Sequence, residues 1–219
     1  MKKSIVLLIS LFFIAAVSLL ILKNLEDTDS YINEQNSKFT KTQIIFLINN
    51  AKDEVSKILS QNQGNDISSY LDVDYPIVLK DAKIIVTLKK YDKYNINLLK
   101  SKDEKDYVYL KKFFVENGVY DTETFKYLMK DKQDINNYTQ LNDLLVSVKK
   151  ESSDKRILDL KDYLGFIKFD KKDTAINDEK KEILFYELFV KVEYLKQFVK
   201  AYYILNKNGG VEYFELSFK

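Results

Sequence analysis

The side chains in this sequence whose types and spacing best suit catalysis are clustered carboxylates. They occur at Asp103, Glu104 and Asp106, and again at Asp159 and Asp162. Two carboxyl groups can act as general acid and general base when burial shifts the pKa of one of them. Because the chain has 33 acidic residues, such clusters arise freely, and we interpret both as parts of a solvated surface.

The residue types that usually carry catalysis are scarce or missing. The sequence has no histidine and no cysteine, which excludes an imidazole proton shuttle, a thiol nucleophile, a zinc-thiolate site and disulfide bonds. Arg156 is the single arginine, so bidentate clamps on phosphate or carboxylate groups are nearly excluded. The glycine motifs of phosphate-binding loops and nucleophile elbows do not occur. We therefore expect no catalytic residues, no cofactor, no metal and no enzyme activity.

The charge balance gives no reason to expect direct nucleic-acid binding. The chain has 35 basic and 33 acidic residues, and without Lys2, Lys3 and Lys23 the remainder has 32 against 33. A domain so close to neutrality lacks the general attraction to phosphate that drives nucleic-acid association.

An uncharged apolar run at the N-terminus predicts a membrane anchor. It extends from Ser4 to Leu22, nineteen residues that as a helix match the roughly 30 Å hydrocarbon core of a bilayer. Lys2 and Lys3 precede it, which favours a cytoplasmic N-terminus. A cleaved signal peptide is the alternative, but its small residues, Ala15 and Ala16, lie deep inside the run.

The same helix is predicted to continue well past the anchor. No glycine or proline occurs before Gly64, so nothing forces a break between about residues 4 and 61. Four apolar residues lie seven apart, at Leu25, Ile32, Phe39 and Phe46. From Ile44 to Leu59 the apolar spacing becomes three and four, which indicates one buried helix face. Residues 61–66 read as a stop, with Gly64 as the cap.

The segment after Gly64 has the character of a small sheet. Pro76 introduces two short runs rich in branched residues, Ile77–Leu79 and Lys83–Lys90, which predict strands. A turn over 91–94 leads into Asn95–Leu99.

Short amphipathic helices follow, from about Asp103 to Gly165, and they require mutual packing because each is too short to be stable alone. Their apolar positions are Leu110, Phe113, Phe114, Phe125, Leu128, Met129, Leu141, Leu144, Leu145 and Val148, with Ile157–Phe166 as a fourth helix. Residues 168–182 are charged and predict a loop.

The C-terminal part returns to strand patterns. Alternation over Leu188–Glu193 and the runs Val199–Leu205 and Val211–Phe218 predict three strands, and the Asn-Gly-Gly sequence at 208–210 predicts a hairpin. A helix over 179–204 is the alternative, because lysine, glutamate and leucine are frequent there.

These elements predict an α+β fold: a long transmembrane-plus-periplasmic helix packed on a small antiparallel sheet, with an inserted α-helical subdomain. The expected boundaries are 1–23 for the cytoplasmic stub and transmembrane helix, 24–63 for its continuation, 64–100 for the first strands, 101–175 for the helical subdomain and 176–219 for the strands completing the sheet.

This order of parts resembles the type IV pilin-like subunits, and the inserted helices narrow the resemblance to the minor pseudopilins of the general secretion pathway protein K family. Tyr94–Leu99 resembles the family segment before its helical domain, Tyr109–Val119 the helix that follows, and Ile157–Leu164 a segment near its end. The usual prepilin glycine before the cleavage point is absent, and no acidic residue occurs before Glu26. Lack of the early glutamate is shared with that family.

The resemblance implies a mechanical role as a tip or initiation subunit of a pseudopilus, for type II protein secretion or for DNA uptake in competence. It implies a single-pass protein of the inner membrane, with the bulk in the periplasm and sibling pseudopilins as partners through the helix and the sheet. Secretion-platform proteins or secreted cargo are further expected partners. Family members bind calcium in the helical domain, and the nearest candidates here are Asp131 and Asp134, to which we assign no metal because calcium needs six to eight oxygens. The alternative is a tethered periplasmic scaffold or sensor domain unrelated to pili.

Overall fold

The computed structural model describes residues 2–62, 67–101, 104–130, 133–168 and 185–218, and within these ranges the side chains other than those of 2–16 and 104. The chain is an α+β protein in which a long N-terminal helix packs on a five-stranded antiparallel sheet. This part of the predicted fold class is confirmed.

The N-terminal helix, α1, is continuous from Lys2 to Gln61, 60 residues. It lacks glycine and proline throughout, as the sequence predicts. Its C-terminal part is seated in the domain, where Ile44, Ile48 and Leu59 are buried against the sheet. The stop predicted at residues 61–66 lies largely outside the described residues.

The main sheet has the strand order β1-β2-β5-β6-β7, and every neighbouring pair is antiparallel. Its strands are β1 (Asp74–Val78), β2 (Ala82–Lys90), β5 (Phe185–Tyr194), β6 (Gln197–Asn206) and β7 (Val211–Phe218). Two further strands, β3 (Tyr94–Asn95) and β4 (Leu164–Gly165), form a short parallel pair.

Two turns join the last three strands. The turn between β5 and β6 holds Leu195 and Lys196 at φ values of 47° and 66°, the geometry of a tight two-residue hairpin. The turn between β6 and β7 contains Gly209 at φ 80°, which confirms the predicted hairpin. A helix over 185–204 is therefore excluded, because packing of apolar side chains on both sheet faces outweighs helix propensity there.

A helical block stands between β2 and β5 in the chain. It comprises α2 (Glu104–Glu116), α3 (Thr122–Met129) and α4 (Tyr138–Ser152). Asp121 and Asn137 cap α3 and α4 by accepting hydrogen bonds from backbone N–H groups in the first turn.

Two of the predicted segments form 3₁₀ helices. Asn95–Leu99 does not extend the main sheet: Ile96–Lys100 is a 3₁₀ helix, begun by Asn95, whose side chain accepts the N–H of Asn97. The predicted fourth helix over Ile157–Phe166 is a 3₁₀ helix over Lys155–Asp162, after which Leu164 and Gly165 pair with β3. Both segments carry buried apolar residues at a spacing of three, which suits the 3₁₀ repeat.

The sheet separates two apolar cores. On one face, Leu188, Val190 and Val192 of β5 pack with α1. On the other, Ile204 of β6 packs with the helical block, whose largest buried side chains include Phe114 and Phe125. The molecule is thus layered as helix, sheet and helical block.

The predicted anchor, Ser4–Leu22, lies mainly on residues 4–16, outside the described side chains. Within the described part of the chain, no helix carries an apolar stretch long enough to cross a membrane. The loop predicted at 168–182 also falls almost wholly outside the described residues.

Candidate functional site

The outward side of α1 carries an exposed apolar seam. It consists of Leu25, Ile32, Phe39 and Phe46, which are between 49% and 59% exposed. At about 100° per residue, Phe46 lies roughly 160° around the helix from the buried Ile44, so it points away from the sheet. The seam therefore offers apolar surface that the described part of the chain leaves uncovered.

The charges along this stretch of helix are segregated by sign. Acidic residues occupy its N-terminal part, at Glu26, Asp27, Asp29 and Glu34, and Lys38 and Lys41 follow. Glu34 and Lys38 form an exposed ion pair at 2.6 Å, with the i,i+4 spacing that supports a helix. A second helix that has an apolar side and the opposite order of charges can cover this seam.

A second polar feature is a buried cluster where the helical block meets the sheet. Glu187 of β5 is only 7% exposed; it lies 3.3 Å from the Lys93 ammonium and accepts a 2.5 Å hydrogen bond from the Tyr202 hydroxyl. The hydroxyls of Tyr202 and Tyr138 are 3.0 Å apart, and the Lys93 ammonium lies 5.0 Å from the Tyr138 ring centre. These contacts join β5, β6, α4 and the segment after β2.

The charged and polar groups of this cluster compensate one another. Burial, first, and the neighbouring charges raise the pKa of Tyr138 and of Tyr202 far above the ordinary value, so both phenols stay protonated well into the alkaline range. The Glu187–Lys93 ion pair lies among these hydroxyls and rings. Because these groups satisfy one another, the cluster serves to hold the helical block on the sheet.

Among the carboxylates singled out in the sequence, that of Asp134 is held by lysines. Asp134 contacts two ammonium groups, of Lys100 at 3.0 Å and of Lys168 at 2.6 Å. The hydrogen bond from Lys168, followed by that from Lys100, lowers the pKa of the Asp134 carboxyl. Two cations on this carboxylate oppose the binding of a third, and Asp131 lies outside the described residues.

Of the other acidic clusters, the structure describes the side chains of Asp106, Asp159 and Asp162. Asp106 accepts a 2.7 Å hydrogen bond from the Ser101 hydroxyl, and Asp159 and Asp162 are exposed. Asp103 and the side chain of Glu104 lie outside the description. Among the described residues, no group of three histidine, cysteine or acidic side chains could hold a metal ion.

No family model, curated protein or solved structure matches this chain.

The Glu187 cluster was missed by sequence reasoning. Its members are far apart in the chain, and glutamate and lysine within amphipathic strands usually mark a solvated face. One signal was available: helix-forming regions occur both before the first strand and between β2 and β5, and helices on both faces of one sheet would cover both faces of a central strand.

Proposed function

We propose that this chain is a non-enzymatic minor pseudopilin, a tip or initiation subunit of a pseudopilus. The observation that carries the proposal is the exposed apolar seam on a helix that extends far beyond its own domain. In this proposal Ser4–Leu22 anchors the chain in the inner membrane, and the sheet and helical block lie in the periplasm.

The length of the uncovered helix supports an assembly role. Thr40 is the first buried residue of α1 among its described side chains. Residues 17–39 before it correspond to about 35 Å of helix that the domain leaves uncovered. When another helix covers the apolar side of such a helix, apolar surface is removed from water, and this stabilises the assembly.

The topology is also the one that the family resemblance implies. The helical block enters between β2 and β5, neighbours in the sheet, and leaves the antiparallel ladder intact. An insertion of this kind adds a second surface without changing how α1 sits on the sheet.

The test places one charge on the seam in the native host. We expect Ile32→Asp to abolish secretion of exoproteins, or DNA uptake, because a carboxylate at the centre of a helix–helix contact must be desolvated. Asn33→Asp is the matched control: it adds the same charge one residue on, about 100° around the helix, and should leave the activity intact.

Crosslinking decides between assembly and the alternative of a tethered scaffold: a photo-crosslinking amino acid at position 32 should form adducts with pilin-like proteins encoded nearby. Retention of the full chain in membrane fractions after a carbonate wash, which both alternatives require, tests the anchor. Intact secretion and DNA uptake in Ile32→Asp, with no such adducts, would contradict the pseudopilin proposal and favour the scaffold.

A further inference from the structure

The two outer edges of the main sheet differ in how they are protected. An unpaired edge strand presents a row of free N–H and C=O groups, and proteins usually guard it with proline, lysine, a bulge or a short strand. On one side, β1 has five residues and includes Pro76, which has no N–H to donate. Pro76 would thus interrupt the hydrogen bonds of any further strand added to β1.

The opposite edge, β7, has none of the protective residues. Its eight residues contain no proline, lysine, arginine or glycine. The pairing register of β6 and β7 shifts between Ile204 and Leu205. From Tyr213 to Phe218, β7 pairs with β6 in regular register. Within the described residues, β7 pairs with β6 alone and its other edge is unpaired.

Apolar side chains flank that free edge on the α1 side. Phe214, Leu216 and Phe218 lie opposite Tyr203, Ala201 and Val199, which are buried in the core shared with α1. The three β6 residues are at most 3% exposed, whereas Phe214 and Phe218 are 47% and 46% exposed. The apolar face of the sheet therefore continues past the cover that α1 provides.

The charges of β7 indicate which side chains an added strand would carry. Its charged residues are Glu212 and Glu215, both acidic. Glu215 pairs with Tyr202 and so lies on the face opposite Phe214 and Leu216. An added strand would place alternate apolar side chains beside the phenylalanines and the intervening basic side chains beside Glu215. A second copy of β7 fits less well, because it would bring acidic residues together.

We propose that the free edge of β7 binds an extended segment of another protein, in which apolar residues alternate with lysine or arginine. Such strand addition uses backbone hydrogen bonds for affinity and alternate side chains for specificity. The proposal rests on other residues than the seam on α1 does, and it adds a second interaction surface at the β7 edge of the sheet.

The test uses the full chain in mild detergent and a fluorescein-labelled peptide of alternating valine and lysine. We expect saturable binding by fluorescence anisotropy, and at least about tenfold slower hydrogen exchange of β7 amides in the bound state. Glu215→Lys should weaken binding about tenfold, because it replaces attraction by repulsion beside the added strand. Asp81→Lys, at an exposed position in the turn between β1 and β2, makes the same change of charge at the opposite edge; it is the control and should bind as the unmodified chain does.

Several outcomes would overturn the proposal. These are absence of binding, equal binding of a valine–glutamate peptide, and binding that leaves β7 exchange unchanged. A chain that dimerises alone, and loses the dimer in Glu215→Lys, would show that a second copy occupies the edge. Failure here leaves the seam untouched, since Ile32→Asp and Glu215→Lys change different elements, α1 and β7.

Discussion

The two halves of α1 experience opposite surroundings although they belong to one unbroken helix. Before Thr40 the described side chains are almost all exposed, whereas from Thr40 to Leu59 one side of the helix is buried on the sheet. In the seated half, apolar residues recur every three or four positions and match a domain core. Between residues 23 and 39 of the free half, Leu25, Ile32 and Phe39 recur every seven positions, a stripe too narrow for a core but one that another helix can cover.

The contrast teaches that one helix can carry two interfaces with different energetic roles. The inward side contributes to the stability of the domain, because its residues are buried in the single chain. The outward seam contributes nothing to that stability while it is uncovered, and it is available for assembly. Variants on the two sides should therefore separate folding from function.

Within α1, the largest effect on stability is expected in the seated half, where two neighbouring isoleucines can be compared. Ile44 is completely buried, whereas Ile45 is 42% exposed. Ile44→Ala should lower the free energy of unfolding by about 2–5 kcal/mol, because it leaves a cavity beneath α1. Ile45→Ala, the matched control, should cost less than about 1 kcal/mol. Urea unfolding of the full chain in detergent measures both, and equal losses would contradict the assigned orientation of the helix.

A somewhat smaller effect is expected at Gly209, where the β6–β7 turn meets the seated half of α1. The Ser56 hydroxyl donates a 2.9 Å hydrogen bond to the Gly209 carbonyl, and a Cβ added at Gly209 would lie 2.6 Å from the Ser56 carbonyl oxygen. Gly209→Ala should therefore lower the unfolding free energy by about 2–3 kcal/mol, from strain at positive φ together with displacement of backbone.

Gly118 provides the comparison for that prediction. It also has a positive φ, of 73°, but its added Cβ would meet the end of the exposed Arg156 side chain, at 3.0 Å, and no backbone atom. Gly118→Ala should thus cost about 1 kcal/mol, mainly the backbone term. If both variants lose the same amount, contact between the turn and α1 adds nothing at Gly209.

Alkaline pH should loosen the seated half through Tyr203, which is buried in the core beneath α1. Burial, and secondarily the negative charge of Asp53, raise the pKa of Tyr203 to about 12. Because the folded pKa is above the unfolded value, the contribution to stability is complete below about pH 10 and declines as pH rises towards the folded pKa.

Tyr203→Phe isolates this contribution. It should reduce the steepness of the stability loss between about pH 10 and 12, while the loss due to the buried Tyr138 and Tyr202 remains. Unfolding midpoints measured across that range test it. Parallel pH curves for the two proteins would show that Tyr203 does not titrate in a buried setting.

Much of this arrangement could be predicted from local patterns, and the parts that could not depend on contacts between distant residues. The helix to residue 61, β2 and the β6–β7 hairpin follow from spacing and turn residues. The Glu187–Lys93 pair joins segments 94 residues apart in sequence, and no local pattern specifies it. Likewise, the heptad spacing identified the seam, but only the packing of Ile44 shows that the seam faces away from the sheet.

The smallest expected effect on stability, and the most informative about function, is at the seam. Phe39 is 58% exposed on the outward side of α1, whereas Phe114 is fully buried in the helical block. Phe39→Ala should change the unfolding free energy by no more than about 0.5 kcal/mol, and Phe114→Ala should cost about 3–5 kcal/mol. If Phe39→Ala nevertheless impairs secretion or DNA uptake at normal protein levels, its side chain acts through a partner. A stability loss at Phe39 comparable to that at Phe114 would instead mean that the seam is covered within the chain itself, and the distinction between the two halves of α1 would fail.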